Sequence, residues 1–465
     1  MVASKSVSSR AVPELSRTVD KAEVTRSPPA VTLVPVIIAA AYVAAEIVLY
    51  TNHEAWLDEA QAWLVARNLS RAIDFLVIPS EGHPPVWYWM LRLVSYGLTF
   101  DQARPLMLGV AAVNAWLLVR LLGDRPALLA VLLVSLPILH SWGFHFRPYP
   151  LILTCVVSAL LLDRAGRGAA ATWLLALTCG FNFLGGWLLA FWLLVQTKRG
   201  ISISRLWGPS LLGAAFGVSA ILSSLGNSDT GVQEVPPLEA VFDPVALPFA
   251  IPYIPPVLII SAVIATIVFG LRRTPYVLVC VIGLLALLGV FGAFLYGLKE
   301  WHTAFGLMLL LMAFEITKAS AWPLILLLLP QDFWGVRRAT LDATLPESAA
   351  IIAYHAVQDD AGSQLDTERN LVAWPDHVLT PAAASYGFRF ISANNGAVVD
   401  AIDWRRGVDG QISQGVLAKT PTPYWFVCFQ CESPLAVVEA AGRRATQIMP
   451  ATETMSWTLA AYRID

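Results

Sequence analysis

Long apolar stretches alternate with short polar joints over the first two-thirds of the chain, and this pattern stops near residue 333. Stretches near 31–50, 104–122, 126–142, 148–163, 207–225, 252–271 and 276–298 are each long enough to cross a bilayer as one helix, which takes roughly 17–25 residues. Two others, 169–197 and 302–330, are too long for one crossing and short for two. Each is interrupted in the middle, by Phe181-Asn182-Phe183-Leu184-Gly185-Gly186 and by Glu315-Ile316-Thr317-Lys318. Each therefore predicts a pair of short helices, whose ends are tolerated where protein buries them or water reaches them.

Segment 84–100 decides the topology. If it crossed, Arg120, Arg125, Arg164, Arg167, Lys198, Arg199 and Arg205 would all lie outside the cytoplasm. If it lies in the interface, these cations join the basic N-terminal tail inside, and Arg272 and Arg273 follow. The positive-inside bias favours the interfacial helix, as do its many aromatic residues and Arg92 at its middle. About eleven spans follow, with an outside loop at 51–103 and a chain end outside the cytoplasm.

From 333 to 465 the period changes. Leu371–Trp374, Arg389–Ser392 and Tyr424–Phe429 predict strands, and 381–387 and 434–444 predict helices. The expected architecture is a polytopic α-helical membrane protein with interfacial helices and a small C-terminal α/β soluble domain. Residues 1–30 form a disordered cytoplasmic tail, 31–330 the membrane domain, and 333–465 the soluble domain.

Composition agrees. Of 465 residues, 57% are hydrophobic and 14% charged, against roughly 25% charged in ordinary globular chains. A net charge of -2 excludes the basic face a nucleic-acid partner would need. The first thirty residues are polar, with Lys5, Arg10, Arg17, Lys21 and Arg26, and show no cleavable signal. No internal repeat supports an inverted-repeat transporter. Cys155, Cys179 and Cys280 lie in apolar runs and read as small core residues. Cys428 and Cys431 form a C-x-x-C with no second pair and no nearby His, a poor zinc site. A local disulfide and two unpaired thiols both remain open for them.

The chemistry concentrates in the outer loop. Thr51-Asn52-His53-Glu54 fits a capping box, the Thr51 hydroxyl accepting from the Glu54 N–H. A helix over about 53–69 follows, with Trp56, Ala60, Trp63 and Arg67 along one face and the Trp pair suited to the lipid boundary. Asp58 lies roughly 200° around from Trp56 and points into the protein. An Asp-Glu pair beside lipid is costly and marks a cavity; a solvated helix start favoured by the dipole is the plainer alternative.

Asp58-Glu59-Ala60 after the first span, then Gly82-His83-Pro84-Pro85-Val86-Trp87-Tyr88, then Ala103-Arg104-Pro105-Leu106 and Phe146-Arg147-Pro148-Tyr149, form an ordered set. This set resembles the C-type (GT-C) membrane glycosyltransferases, within them the branch of protein O-mannosyltransferase-like and lipid A aminoarabinose-transferase-like proteins. The resemblance covers most of 31–330. It implies transfer of a sugar from a polyprenyl-phosphate carrier to an acceptor on the extracytoplasmic side of a bacterial inner membrane, the acceptor being a lipid, a glycan or a protein. Asp58 matches the family's catalytic aspartate, the group that takes the acceptor proton. Glu59 is its partner, orienting Asp58, binding acceptor or capping the helix.

The resemblance also sets His83, Arg147 and Tyr149 near the leaving phosphate, where an Arg fork can hold two oxygens. Their alternatives are a loop end for His83, a headgroup anchor for Arg147 and a belt aromatic for Tyr149. Arg104 pairs with an acidic residue or anchors its span. Lys299 and His302 return to the same outer face as further candidates.

There are departures from the family. Related lipid A transferases hold a metal between an acidic residue and a distant His; here no acid directly precedes Gly82-His83, though Glu81 is near. No cofactor is called for, and a divalent cation is the one candidate. Asn182 stands where several relatives place a His. Two other classes compete: a lipid-linked glycan transporter or flippase, which would spread charge along a membrane path, and a scaffold with an extracytoplasmic binding domain.

Overall fold

The computed structural model describes residues 33–53, 57–78, 81–225, 241–246, 249, 254–296, 298, 300–330, 336, 349–402, 412–453 and 458–465. In chain order the helices begin with α1 (Leu33–Thr51), α2 (Leu57–Asn68), α3 (Val86–Val94), α4 (Phe100–Ala103), α5 (Leu106–Leu122), α6 (Pro126–Val134) and α7 (Tyr149–Arg164). Next come α8 (Gly168–Phe181), α9 (Gly185–Lys198), α10 (Ile203–Ser224), α11 (Asp243–Ala246), α12 (Pro256–Leu271), α13 (Pro275–Phe291), α14 (Glu300–Thr317) and α15 (322–330). The C-terminal part adds α16 (Ala349–Ala361), α17 (Thr380–Tyr386), α18 (Gln414–Lys419) and α19 (Glu432–Ala440).

Four described helices, Leu33–Thr51, Phe100–Leu122, Ile203–Ser224 and Pro275–Phe294, are long and apolar enough to cross a membrane, and three shorter apolar helices accompany them. They expose large apolar side chains along their length: Ile37, Ile47 and Val48 on α1, Leu211, Val218 and Ile221 on α10, Val279, Ile282 and Leu287 on α13. Water would penalise such faces, whereas acyl chains solvate them. The protein is integral to a membrane.

Both interrupted stretches are helix pairs. The α8–α9 turn is tight because Gly185 has no side chain; a Cβ there would meet the Thr178 carbonyl carbon at 2.5 Å. Asn182 shapes the same turn by accepting from the Leu184 N–H at 2.9 Å through Oδ1. Chain 300–330 breaks between α14 and α15, with Lys318 at φ 54°. The stretch 126–142 departs from the single helix expected of it. α6 ends at Val134 and a separate π turn covers Pro137–Ser141, because Pro137 lacks an N–H and crowds the preceding turn.

The nine-residue α3 rises only about 14 Å, too short to cross. Polar side chains join the helices where lipid leaves them no other partner. Asn114 on α5 donates to the Pro150 carbonyl at 2.8 Å and accepts from Thr154 of α7 at 2.7 Å, and Trp192 of α9 donates to Thr172 of α8 at 2.9 Å. At one end of the bundle Glu315, 2% exposed, is clamped between Arg125 (2.5 Å) and Arg164, and Asp163 pairs with Arg199 at 2.9 Å. Three of the cations expected on a common side thus share one cluster.

The C-terminal part is a mixed six-stranded sheet, ordered β3-β2-β1-β4-β6-β5. The strands are β1 (Leu371–Trp374), β2 (Phe390–Ser392), β3 (Val398–Val399), β4 (Tyr424–Phe429), β5 (Ala445–Glu453) and β6 (Thr458–Ile464). β1 lies parallel to β2 and β4, with Val372 opposite Ile391 and Phe426; the remaining pairs are antiparallel. β1 and β4 are buried on both faces, which is why they read as unbroken apolar runs. Cys428 and Cys431 close a disulfide between β4 and α19. α17 packs against α2, where Ala60 and Ala66 on one helix and Ala382 to Ala384 on the other are buried; small residues let the two backbones approach.

Candidate active site

Two short pieces of chain meet at the end of the bundle opposite the Glu315 clamp: the start of α2 and the irregular turn 142–148 that leads into α7. Asp58 and Glu59 occupy the first turn of α2, where the helix dipole favours negative charge. Arg147 Nη1 lies 2.6 Å from Asp58 Oδ2. The arginine is 8% exposed and the aspartate 31%, so one side of Asp58 is open while the other is held by a buried cation. Tyr149 lies under the guanidinium at 5.5 Å. It stacks on Trp142 at 5.7 Å and faces His302 at 6.4 Å, which brings α14 into the site.

Glu59 points elsewhere. It is fully buried; Oε1 accepts from the Phe146 N–H at 2.6 Å and Oε2 bonds His53 Nε2 at 3.1 Å. Burial alone would keep the acid neutral, but His53 and the Arg104 guanidinium outweigh it and hold the carboxyl well below the usual carboxylate range. Arg104 itself donates to the His53 carbonyl at 3.2 Å and lies over the Tyr50 and Phe100 rings. It braces the Glu59 network, and the cation that pairs with Asp58 is Arg147.

On the rim opposite, His83 Nδ1 is 3.6 Å from Glu81 Oε2. Among the described residues neither ring nitrogen of His83 has a hydrogen-bond partner; Nδ1 faces Glu81, and Nε2 is the nitrogen with no charged neighbour. The Tyr88 hydroxyl donates to Glu81 at 3.1 Å. Burial first, then the Glu81 charge, pushes that phenol well above its ordinary value, while Arg147 acts the other way. Tyr88 therefore connects the Glu81–His83 side to the Asp58–Arg147 side. Among the described residues no three His, Cys, Asp or Glu side chains are set to hold a metal ion; Glu81 and His83 make only a pair.

Two expectations are corrected. Thr51 ends α1 and donates its hydroxyl back to the Val48 carbonyl at 2.9 Å; a helix's last turn offers unpaired carbonyls that a hydroxyl satisfies. Glu54, the other half of the expected capping box, lies outside the described residues, as does Trp56, and α2 begins at Leu57. Trp63 is 1% exposed and packs against Phe100 and Phe146. It serves the protein core because α17 and α3 cover α2 where lipid was expected. Lys299 lies outside the described residues.

No family model matches the sequence. No curated protein matches it. Among solved structures, ArnT from Cupriavidus metallidurans in the apo state matches with a TM-score of 0.52 at 14% identity, over 92% of this chain and 97% of that one. This is the GT-C fold. The arabinosyltransferase EmbB from Mycobacterium smegmatis matches with a TM-score of 0.35 at 15% identity, over 70% of this chain and 42% of that one.

Within the GT-C fold, Asp58, Arg147, Tyr149 and His302 come together, His83 joins them across Tyr88, and Glu59 and Arg104 form the layer behind. Sequence reasoning missed Gln61, Tyr88, His53 and His145. Gln61 sits one helical turn from Asp58, a spacing that would have found it; the approach of His53 and His145, whose rings lie 4.6 Å apart, depends on the tertiary fold.

Proposed function

We propose that this protein is a glycosyltransferase that moves a sugar from a polyprenyl-phosphate carrier to an acceptor hydroxyl on the extracytoplasmic side of the membrane. The Asp58–Arg147 pair at an open, half-buried mouth carries the reading. Transfer needs a base for the acceptor proton and a cation for the departing phosphate, both touching one bound sugar. Asp58 removes the hydroxyl proton as the acceptor oxygen attacks the anomeric carbon. The bond from that carbon to the phosphate oxygen breaks, and the electron pair leaves with the polyprenyl phosphate.

Arg147 receives that anion, assisted by His83, whose Nε2 has no hydrogen-bond partner among the described residues, and by Tyr149 and His302. Arg147 pairs with Asp58 through one guanidinium nitrogen. An arriving phosphate competes for the guanidinium and frees the Asp58 carboxylate to meet the acceptor hydroxyl. Glu59 acts as an orienting group, since its two oxygens are committed to Phe146 and His53. The about eleven crossings, the domain limits and the outside position of the sheet complete this reading. The disulfide supports the last, because such bonds persist in oxidising compartments.

The direct test is Asp58→Asn in purified, folded protein supplied with polyprenyl-phosphate sugars. Near wild-type transfer removes Asp58 as the base. Uptake of lipid-linked sugar into vesicles without any transfer points to a transporter instead.

A further inference from the structure

Gln61 follows Asp58 by three residues on α2 and is 2% exposed. Its Oε1 accepts from the Ile402 N–H at 2.8 Å, and its Nε2 donates to the Ile402 carbonyl at 2.9 Å. The side-chain amide thus pairs with both backbone groups of one residue of the C-terminal part, as a neighbouring strand would. The second Nε2 hydrogen goes to Glu81 Oε1 at 3.0 Å. Glu81 accepts from Tyr88 through its other oxygen, which also lies nearest His83. A line of polar contacts therefore runs from the backbone of the C-terminal sheet region to His83 and to Tyr88, whose hydroxyl feels the charges of Arg147 and Asp58.

Only a carboxamide fits the middle of that line. A carboxylate has no hydrogen to donate and would confront both Glu81 and the Ile402 carbonyl. An apolar side chain would leave buried donors and acceptors unpaired. Nothing in a merely adhesive contact requires that the residue gripping Ile402 also grip Glu81. Adhesion between the two parts is already supplied by the α2–α17 packing and by Ser385 donating to Asp101 at 3.0 Å.

We infer that Gln61 is a positioning residue that couples docking of the C-terminal domain to phosphate binding at His83, by way of Glu81. The inference rests on the glycosyltransferase reading for what His83 receives. Coupling is reciprocal: if the docked domain holds Glu81 and His83 ready for phosphate, bound phosphate must tighten the grip on Ile402.

The test is hydrogen exchange in the full-length protein with polyprenyl phosphate alone, its binding followed separately by thermal shift. Peptides ending at Ile402 are expected to exchange at least about fivefold more slowly with saturating polyprenyl phosphate. Gln61→Glu is expected to abolish that protection and to weaken polyprenyl-phosphate binding about tenfold, within the usual range of coupling. Polyprenyl phosphate that binds without altering exchange at Ile402 overturns the coupling and leaves the glycosyltransferase reading standing. Absence of any binding to the wild-type protein overturns both. Because the first comparison uses unaltered protein, a variant that fails to fold does not remove the test.

Discussion

Arginine meets carboxylate at both ends of the helical bundle, with opposite consequences. At one end Glu315, 2% exposed, has each oxygen taken by a different arginine, and Arg164 also donates to the Leu121 carbonyl at 2.7 Å. The cluster ties the ends of α7 and α14 to the joint before α6. At the other end Asp58 keeps 31% of its side-chain surface and meets a single arginine. A closed clamp holds helices together; an open pair has capacity left for a ligand. Burial and the number of partners separate the structural ion pair from the chemical one, though the residue types are alike.

Substitution should separate them as sharply. Asp58→Asn, nearly isosteric, is expected to lower kcat about a thousandfold, within the span of general-base effects, with Tm close to wild type. Arg147→Lys keeps the charge but loses the fork, and should cost about a hundredfold in transfer, as for loss of one donor to a developing anion; steady-state kinetics check both. Glu315→Gln leaves two arginines facing a neutral amide. It should destabilise by about 3 kcal/mol, since breaking a buried pair strands the other charge, while activity per folded molecule stays within twofold, roughly the scatter of context-dependent effects. Thermal unfolding in detergent measures it. A thousandfold activity loss there, with Asp58→Asn harmless, would reverse the assignment of the two ends.

The smallest expected effect is a pH dependence confined to the open end. Burial first, then the neighbouring His53, pushes the His145 imidazole well below its ordinary value, with His140 and Arg147 adding to the shift and Glu59 opposing it. The unfolded chain therefore binds a proton that the folded one refuses. Stability is full above about pH 6.5 and falls as the pH drops towards the folded value. His145→Asn should flatten Tm against pH in that window. Glu59, held low, adds a separate loss only below about pH 4.3.

Much of the helical plan was legible because lipid imposes a simple rule on length and polarity. The breaks at Asn182 and Lys318, the short α3 and strands β1, β2 and β4 all follow from local pattern. β5 and β6 did not: Thr446, Gln447, Pro450 and Thr452 blur the alternation of β5, and the pairing of β6 with β4 and of β5 with β6 supplies what the pattern lacks. In the site, Asp58 and Arg147 were found through the ordered motif set. Their 2.6 Å contact, the burial of Glu59 and the link from Gln61 to Ile402 were not, because each depends on segments far apart in sequence. Trp63 shows the same limit: the rings that bury it, Phe100 and Phe146, come from segments that local pattern does not connect to α2.

Glu59 grips the amide of Phe146 while its neighbour Asp58 grips the side chain of Arg147, so two consecutive residues on one strip of chain are fastened to two consecutive residues on another. A double fastening of this kind resists shear. Should the bilayer squeeze or tilt one strip, the other is dragged along with it, and the gap between acid and cation stays constant while the surroundings shift.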